Sequence, residues 1–209
     1  YKMWEWYAGM LVWKNQNPWT ALRGFFYDYY LDYTGGYYGY KHGAMPVHIQ
    51  FNLNDSVLCV VNQTANKLSI TASSRLYDMH GKLLSEQKNP VNLNAHDVIL
   101  LNKIVLPKGK DEIYFLRLEL IDRDKVLDEN LYWLSNKIHS YEKLNELAKV
   151  VIKTDIRKKD KDHSVVVISN PGDETAFFIR LKVINGNNEL VLPSFLTDNY
   201  FTLLPGDEK

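Results

Sequence analysis

The sequence predicts a mainly β protein in which two β-sandwich domains follow a short α/β segment. From residue 46 onward, apolar and polar residues alternate with a period of two, as over residues 47–53, and this alternation is typical of strands with one buried face. Before residue 46 the pattern differs. Residues 1–42 hold 15 of the 27 aromatic residues, and so short an apolar segment cannot bury itself without a neighbouring surface.

The composition excludes several classes of protein. The 209-residue chain carries 25 basic and 25 acidic residues, so we expect neither a nucleic-acid partner held by bulk electrostatics nor a polybasic membrane anchor. The single cysteine, Cys59, excludes an internal disulfide. The six histidines lack metal-ligand spacing, and no apolar run approaches the roughly 18 residues of a membrane-spanning helix. We therefore expect no metal site, no cofactor and no membrane span.

The N-terminal segment reads as the end of an α/β barrel. Residues 7–13 form a continuous apolar run, which predicts a strand buried on both faces. Trp13 stands at the C-terminal end of this strand, the end at which barrels bind their ligands. A short helix is predicted over residues 35–44. We assign residues 1–45 to the last strand and helix of a (β/α)8 barrel.

Seven strands are predicted in the next 90 residues or so, and turn residues separate them. The first covers residues 47–53, and the others are Ser56–Asn62, Lys67–Tyr77, Lys82–Gln87, Val98–Ile104, Glu112–Ile121 and Val126–Leu134. This number and spacing are typical of an immunoglobulin-like β-sandwich. We assign that domain to residues 46–137.

A second β pattern follows a polar linker at residues 138–148. The candidate strands are Lys149–Ile156, His163–Ser169, Thr175–Asn185, Glu189–Leu192 and Tyr200–Leu204. Only about five strands fit before residue 209, and a sandwich with missing strands would expose an unpaired edge. We therefore predict a second immunoglobulin-like sandwich over residues 149–209 that is incomplete at its C-terminus.

The residues themselves show no complete catalytic constellation. The sequence contains no G-x-S-x-G elbow, P-loop or dinucleotide fingerprint. Asp28 and Asp32 are the pair of carboxylates that could serve glycoside chemistry, but aspartates beside tyrosines are commonly hydrogen-bonded instead. Catalysis by this pair is therefore not expected.

Three segments carry a resemblance to a known family. Gly9–Trp19 resembles the last barrel strand and following loop of glycoside hydrolase family 2, in the branch of β-mannosidases, exo-β-glucosaminidases and mannosylglycoprotein endo-β-mannosidases. Tyr27–Asp32, Gly36–Gly39 and Pro46–Gln50 continue that resemblance. Thr197–Gly206, preceded by Ala176–Phe178, is similar to the terminal immunoglobulin-like domain of the branch.

The resemblance implies a retaining glycosidase whose two catalytic glutamates lie upstream of this chain, so the chain alone is expected to be inactive. It also implies an oligosaccharide or glycan substrate and a missing barrel against which the chain packs. The residues expected to bind the sugar are Trp13, Asn15, Asn17 and Trp19. A periplasmic or extracellular location is favoured, although the sequence leaves the compartment open.

A different class of function stays open at this point. The chain could be a stand-alone carbohydrate-binding or adhesion module built from sandwiches, with the aromatic N-terminal segment as its binding platform. A barrel strand and helix favour the enzyme, because a lectin-like module has no use for them.

Overall fold

The computed structural model describes residues 9–16, 26–108, 112–137 and 140–209. In this part of the chain, one α-helix, α1 (Gly35–Gly43), precedes the strands, and a 3₁₀ helix (Glu142–Glu146) lies between the seventh and the eighth. The strands are β1 (Val47–Asn52), β2 (Val57–Asn62), β3 (Leu68–Asp78), β4 (Leu83–Leu93), β5 (Asp97–Lys103), β6 (Ile113–Asp122), β7 (Lys125–Ser135), β8 (Lys153–Lys158), β9 (Ser164–Ser169), β10 (Ala176–Ile179) and β11 (Phe201–Leu203).

Strands β1 to β7 form an antiparallel sandwich, which confirms the seven predicted strands. One sheet has the order β1-β2-β5 and the other the order β4-β3-β6-β7. Between the sheets lies the main core, in which Ile49 and Val60 from the first sheet meet Leu116 and Leu118 from the second. Alternate residues of each strand point into this core because successive side chains of a strand face opposite sides.

The sixth strand is buried on both faces, and this positions the rest of the molecule. Leu116 and its alternate neighbours fill the sandwich core. On the opposite face, Phe115 packs with Leu204 and Tyr77 in a second cluster, and Arg117 contacts Asp207. The C-terminal region, which we define as residues 150–209, therefore packs on the outer face of the β4-β3-β6-β7 sheet at β6 and at the end of β3.

The C-terminal region is less regular than the sequence predicts. It consists of two antiparallel pairs, β8-β9 and β10-β11, around a small core of Ile168, Ala176 and Leu203. The strand predicted over residues 175–185 ends at Ile179, after a register shift in its pairing with β11. Residues 189–192 form no strand; they belong to a tight hairpin with a single bridge between Ile184 and Leu190.

In the N-terminal segment the predicted helix is confirmed and the predicted strand is not. The helix predicted over residues 35–44 is present as α1. The predicted strand over residues 7–13 is wrong for its described part, residues 9–13, which is exposed and outside any strand. A strand requires backbone hydrogen bonds to a neighbour, and no described residue pairs with residues 9–13; the adjacent Gln16 forms one bridge, to Tyr27.

Gly81 marks a close contact between the first sandwich and the C-terminal region. Its φ is +89°, and a Cβ built on it would lie 2.3 Å from Cδ of Pro205. We expect Gly81→Ala to destabilise the protein by about 1–3 kcal/mol, because the left-handed backbone and the collision both oppose the methyl group. Chemical denaturation measures this loss. Gly39→Ala is the control, since nothing lies within 4 Å of the Cβ position there, and an equal loss in both variants would contradict the prediction.

Candidate functional site

The structure describes two of the four residues expected to bind sugar. The indole of Trp13 is 87% exposed. The backbone carbonyl of Asn15 accepts hydrogen bonds from the N–H groups of Phe26 (3.0 Å) and Tyr27 (3.3 Å), so this residue anchors the following segment while its side chain faces solvent. Asn17 and Trp19 lie outside the described residues. No polar contact joins Trp13 to Asn15 in the described part of the chain.

The exposed residues beside Trp13 form a continuous apolar strip. Met10 is 70%, Leu11 99% and Val12 40% exposed. Four consecutive exposed apolar residues are unusual on a folded surface, and patches of this kind mark contacts with another surface. We call residues 10–13 the apolar strip.

The two aspartates considered as a catalytic pair have structural contacts. Oδ1 of Asp28 accepts hydrogen bonds from the backbone N–H groups of Tyr30 (2.8 Å) and Asp32 (3.1 Å). The carboxylate of Asp32 pairs with Arg180 of the C-terminal region. The thiol of Cys59 is also unsuited to nucleophilic chemistry, because burial raises its pKa to about 11.

A chain of aromatic rings connects the N-terminal segment with the first sandwich through the C-terminal region. The ring pairs that link this chain, which branches at Tyr37, have centroids 4.5 to 6.2 Å apart. Its members are Phe26, Tyr40, Tyr37, Tyr33, Tyr38, Tyr200, Phe178 and Trp133. Ring pairs at these distances add to the stabilisation from burial, so the dense N-terminal aromatics are packed against a shared surface.

A polar clamp fixes α1 to the C-terminal region. Asp198 lies 3.2 Å from Nε2 of His42 at the end of α1 and also pairs with Lys209. The ammonium group of Lys41 donates a hydrogen bond of 2.6 Å to the carbonyl of Thr197. The contacts of His42 and Lys41 each join residues 156 positions apart, and both residues stand in the last turn of α1, where the helix dipole favours basic side chains.

A cavity of about 550 Å³ lies between α1, strands β6 and β7, and the C-terminal region. Sequence reasoning did not predict it. Trp133, Phe178 and Tyr200 form part of its wall, and Glu119, Glu129 and Glu208 are among its acidic residues. These residues come from three distant segments, so no sequence pattern groups them.

Two protein families match the chain and together cover residues 56–209. Residues 56–137 match the family described as "Mannosidase Ig/CBM-like domain", and residues 130–209 match the "Exo-beta-D-glucosaminidase Ig-fold domain". The chain carries the immunoglobulin-like domains of the exo-β-glucosaminidase and mannosidase family. The resemblance seen in the sequence is thereby confirmed. The match does not extend to residues 1–55, so the assignment of residues 1–45 to a barrel stays a prediction.

Curated glycosidases align with nearly the whole chain. It is 29% identical to a mannosylglycoprotein endo-β-mannosidase of Lilium longiflorum over 282 aligned positions, which cover 99% of this chain and 29% of the relative. It is 27% identical to an exo-β-D-glucosaminidase of Amycolatopsis orientalis, with 96% and 22% covered. The chain thus spans less than a third of the length of these relatives.

Solved structures of the family share the fold. The exo-β-D-glucosaminidase CsxA, in complex with inhibitors, superposes with a TM-score of 0.84 at 26% identity, covering 96% of this chain and 27% of that one. A β-D-mannosidase from Dictyoglomus thermophilum superposes with a TM-score of 0.70 at 18% identity, covering 94% and 23%. At that identity the second likeness concerns the fold alone.

Two further findings concern membranes and metals. No helix among the described residues is long and apolar enough to cross a membrane. Within the same ranges, no three His, Cys, Asp or Glu side chains are grouped as a metal ion requires.

The polar clamp predicts that the stability of these immunoglobulin-like domains depends on pH. Burial opposes ionisation of Asp198, but hydrogen bonds from His42 and Lys209 outweigh it and lower the pKa to about 2. An unfolded aspartate has a pKa of about 3.9. The clamp therefore contributes stability that is fully present above about pH 4 and is lost as the pH falls through 2, roughly 2 kcal/mol in total.

The test compares unfolding free energies of the wild type and Asp198→Asn. We expect their difference to shrink as the pH falls from about 5 to 2. Asp173→Asn, at an exposed aspartate, controls for the loss of a carboxylate. A wild-type advantage over Asp198→Asn that stays constant across this range would contradict the prediction.

Proposed function

We propose that this chain is the C-terminal part of a retaining family 2 glycoside hydrolase that acts on β-mannosides or β-glucosaminides. Two catalytic glutamates from a part of the protein outside these 209 residues would supply the acid/base and the nucleophile of the double displacement. The proposal is supported by relatives with these activities that align with 99% and 96% of the chain but are more than three times its length.

The apolar strip at residues 10–13 carries the proposal at the level of structure. Leu11 is 99% and Trp13 87% exposed, and burying such side chains stabilises each by roughly 1.5–3 kcal/mol. A catalytic barrel that takes this segment as its last strand would bury Leu11 and supply backbone partners for residues 9–13, which pair with none of the residues that the structure describes. A stand-alone carbohydrate module could use an exposed Trp13 as its binding platform but has no use for an exposed Leu11 beside it, so the exposure of Leu11 favours the enzyme.

In this enzyme Trp13 would line the sugar-binding subsite. An indole offers a flat apolar face to the C–H groups of a pyranose, while amides such as Asn15 and Asn17 would bind its hydroxyl groups. Trp19 would extend the same surface. The sandwiches and the C-terminal region would pack on the barrel and hold this segment through the aromatic chain and the polar clamp.

The test is Trp13→Ala in the intact protein. Loss of a stacking platform costs roughly 1–3 kcal/mol, by analogy with the stacking of bases. This corresponds to a fall of about 5- to 150-fold in kcat/KM for an aryl β-mannoside or β-glucosaminide, and the midpoint of thermal unfolding should change little.

Val12→Ala is the matched control, because it truncates the neighbouring residue of the same strip. We expect it to lower the stability and to leave kcat/KM close to that of the wild type. If Trp13→Ala unfolds at a lower temperature yet retains wild-type kcat/KM, Trp13 is a packing residue and the assignment to the subsite is wrong. If the intact protein hydrolyses neither glycoside, the proposed activity itself is wrong.

A further inference from the structure

The cavity between α1, the first sandwich and the C-terminal region has an aromatic corner that its own side chains leave open. Phe178 lies between Trp133 and Tyr200, with ring centroids 5.5 Å from each and interplanar angles of 55° and 52°. Trp133 is 40% and Phe178 43% exposed. About two fifths of each of these two side chains is therefore left open to a ligand.

Irregular backbone directs two of these rings into the cavity. Phe178 has a φ of +51° and Tyr200 a φ of +58°, a conformation that bulky residues seldom adopt. Phe178 also lies at the register shift between Ala176 and Ile179 in the pairing of β10 with β11. Bulges of this kind redirect a side chain and are frequent beside functional sites. Both irregularities lead to the same cavity.

The cavity wall has an excess of negative charge. Five carboxylates line it, whereas Arg117 and Lys209 are the permanently cationic side chains among the lining residues. The carboxylates thus outnumber these two cations by three. The carboxylates are Glu119, Glu129, Asp198, Asp207 and Glu208.

Part of this negative charge is available to a ligand. Asp198, Asp207 and Glu119 already form ion pairs within the chain. Glu129 forms only a long ion pair, 3.7 Å from Nε of Arg117, and its side chain is partly exposed; Glu208 is exposed. These last two carboxylates are therefore placed to receive a cation.

We infer that this cavity binds a saccharide unit that carries a free amine. An ammonium group beside an aromatic face and close to carboxylates gains both cation–π and ionic attraction. The volume, about 550 Å³, falls within the usual range for small-ligand sites. The inference goes beyond the proposed function, because it concerns binding at this interface and requires no hydrolysis.

A sugar fits this wall better than a simple polyamine does. Besides the rings and the carboxylates, the wall contains the hydroxyl of Thr202. Its oxygen accepts a hydrogen bond of 3.1 Å from the backbone N–H of Phe178, which leaves its own O–H to donate to a sugar hydroxyl. A pyranose presents hydroxyl groups to such partners and its C–H face to the rings.

The experiment measures binding to the intact protein by titration calorimetry. The probe is a thio-linked β-1,4-glucosamine trisaccharide, which glycosidases do not hydrolyse, so binding is observed whether or not the protein has the proposed activity. Phe178→Gly removes the ring and suits the positive φ. We expect it to lower the affinity of one class of binding site for the probe by up to about 30-fold. The double variant Glu129→Gln/Glu208→Gln changes only charge, and it should also lower the affinity of that class of site for the probe.

The controls are Phe195→Ala and Glu146→Gln, an exposed aromatic and an exposed carboxylate outside the cavity, and neither should change the affinity. The N-acetylated trisaccharide should bind more weakly to the wild type, because it lacks the ammonium group. The inference is overturned if both cavity variants bind the probe as the wild type does. It is also overturned if spermidine competes as well as the saccharide, since charge alone would then explain binding.

Discussion

Arg117→Ala should destabilise the protein by about 3–5 kcal/mol, the loss typical of breaking a buried ion pair from one side. Nη1 of Arg117 donates a hydrogen bond of 2.8 Å to Oδ1 of Asp207, and its second terminal nitrogen contacts Oδ2. Burial opposes the charge of the guanidinium, but the carboxylate of Asp207 outweighs it and raises the pKa. The substitution leaves Asp207 partly buried without its cation and removes one of the contacts between the C-terminal region and the first sandwich.

Denaturant unfolding measures the loss in unfolding free energy for Arg117→Ala and for a control variant. Arg157→Ala is the matched control, because Arg157 pairs with Asp155 at an exposed site, and such pairs contribute up to about 1 kcal/mol. A loss below 1 kcal/mol in Arg117→Ala would show that other contacts hold the C-terminal region. A loss of the same size in both variants would mean that burial of the pair is not the cause.

The strands of the first sandwich could be predicted because their signal is local. A strand with one buried face alternates in sequence wherever it pairs, and each of the seven was found within a few residues of its place. The largest error is β4, predicted to end at Gln87 but extending to Leu93. Pro90 lies inside it, and a proline is tolerated there because β4 is an edge strand.

The strand predicted over residues 7–13 differs from these, because its sequence signal depends on a surface outside the segment. A continuous apolar run indicates burial, but it does not say which surface provides it. The structure leaves residues 10–13 exposed, so the prediction of a strand depends on a partner surface rather than on this chain. The same holds for the candidate sugar-binding residues, whose proposed role requires the barrel.

The interdomain cavity could not be predicted from the sequence. Trp133 lies on β7, Phe178 on β10 and Tyr200 just before β11, and their meeting depends on how the C-terminal region docks on β6. The positive φ angles of Phe178 and Tyr200 result from that packing. No residue preference signals them, because bulky residues rarely adopt this conformation.

A buried polar network joins the two sheets of the first sandwich at Asp128. Its Oδ2 accepts hydrogen bonds from the backbone N–H of Ile49 (2.9 Å) and from the amide of Asn130 (3.3 Å). The same oxygen lies 3.0 Å from Nδ1 of His48, and both side chains are almost fully buried. Strands β1 and β7 belong to different sheets, so this carboxylate connects sheets that share no backbone ladder.

Asp128→Ala should therefore cost about 2–5 kcal/mol in unfolding free energy, because it leaves the Ile49 N–H and its polar neighbours buried without their acceptor. Asp128→Asn keeps an oxygen that can accept from Ile49 and should lose clearly less. Asp124→Ala, in the exposed turn between β6 and β7, is the control and should change stability by less than about 0.5 kcal/mol. Denaturant unfolding compares the three, and native-state hydrogen exchange at the Ile49 amide locates the effect. If Asp128→Ala is no less stable than Asp124→Ala, or the Ile49 amide stays fully protected, the sheets are held by apolar packing and the network contributes nothing.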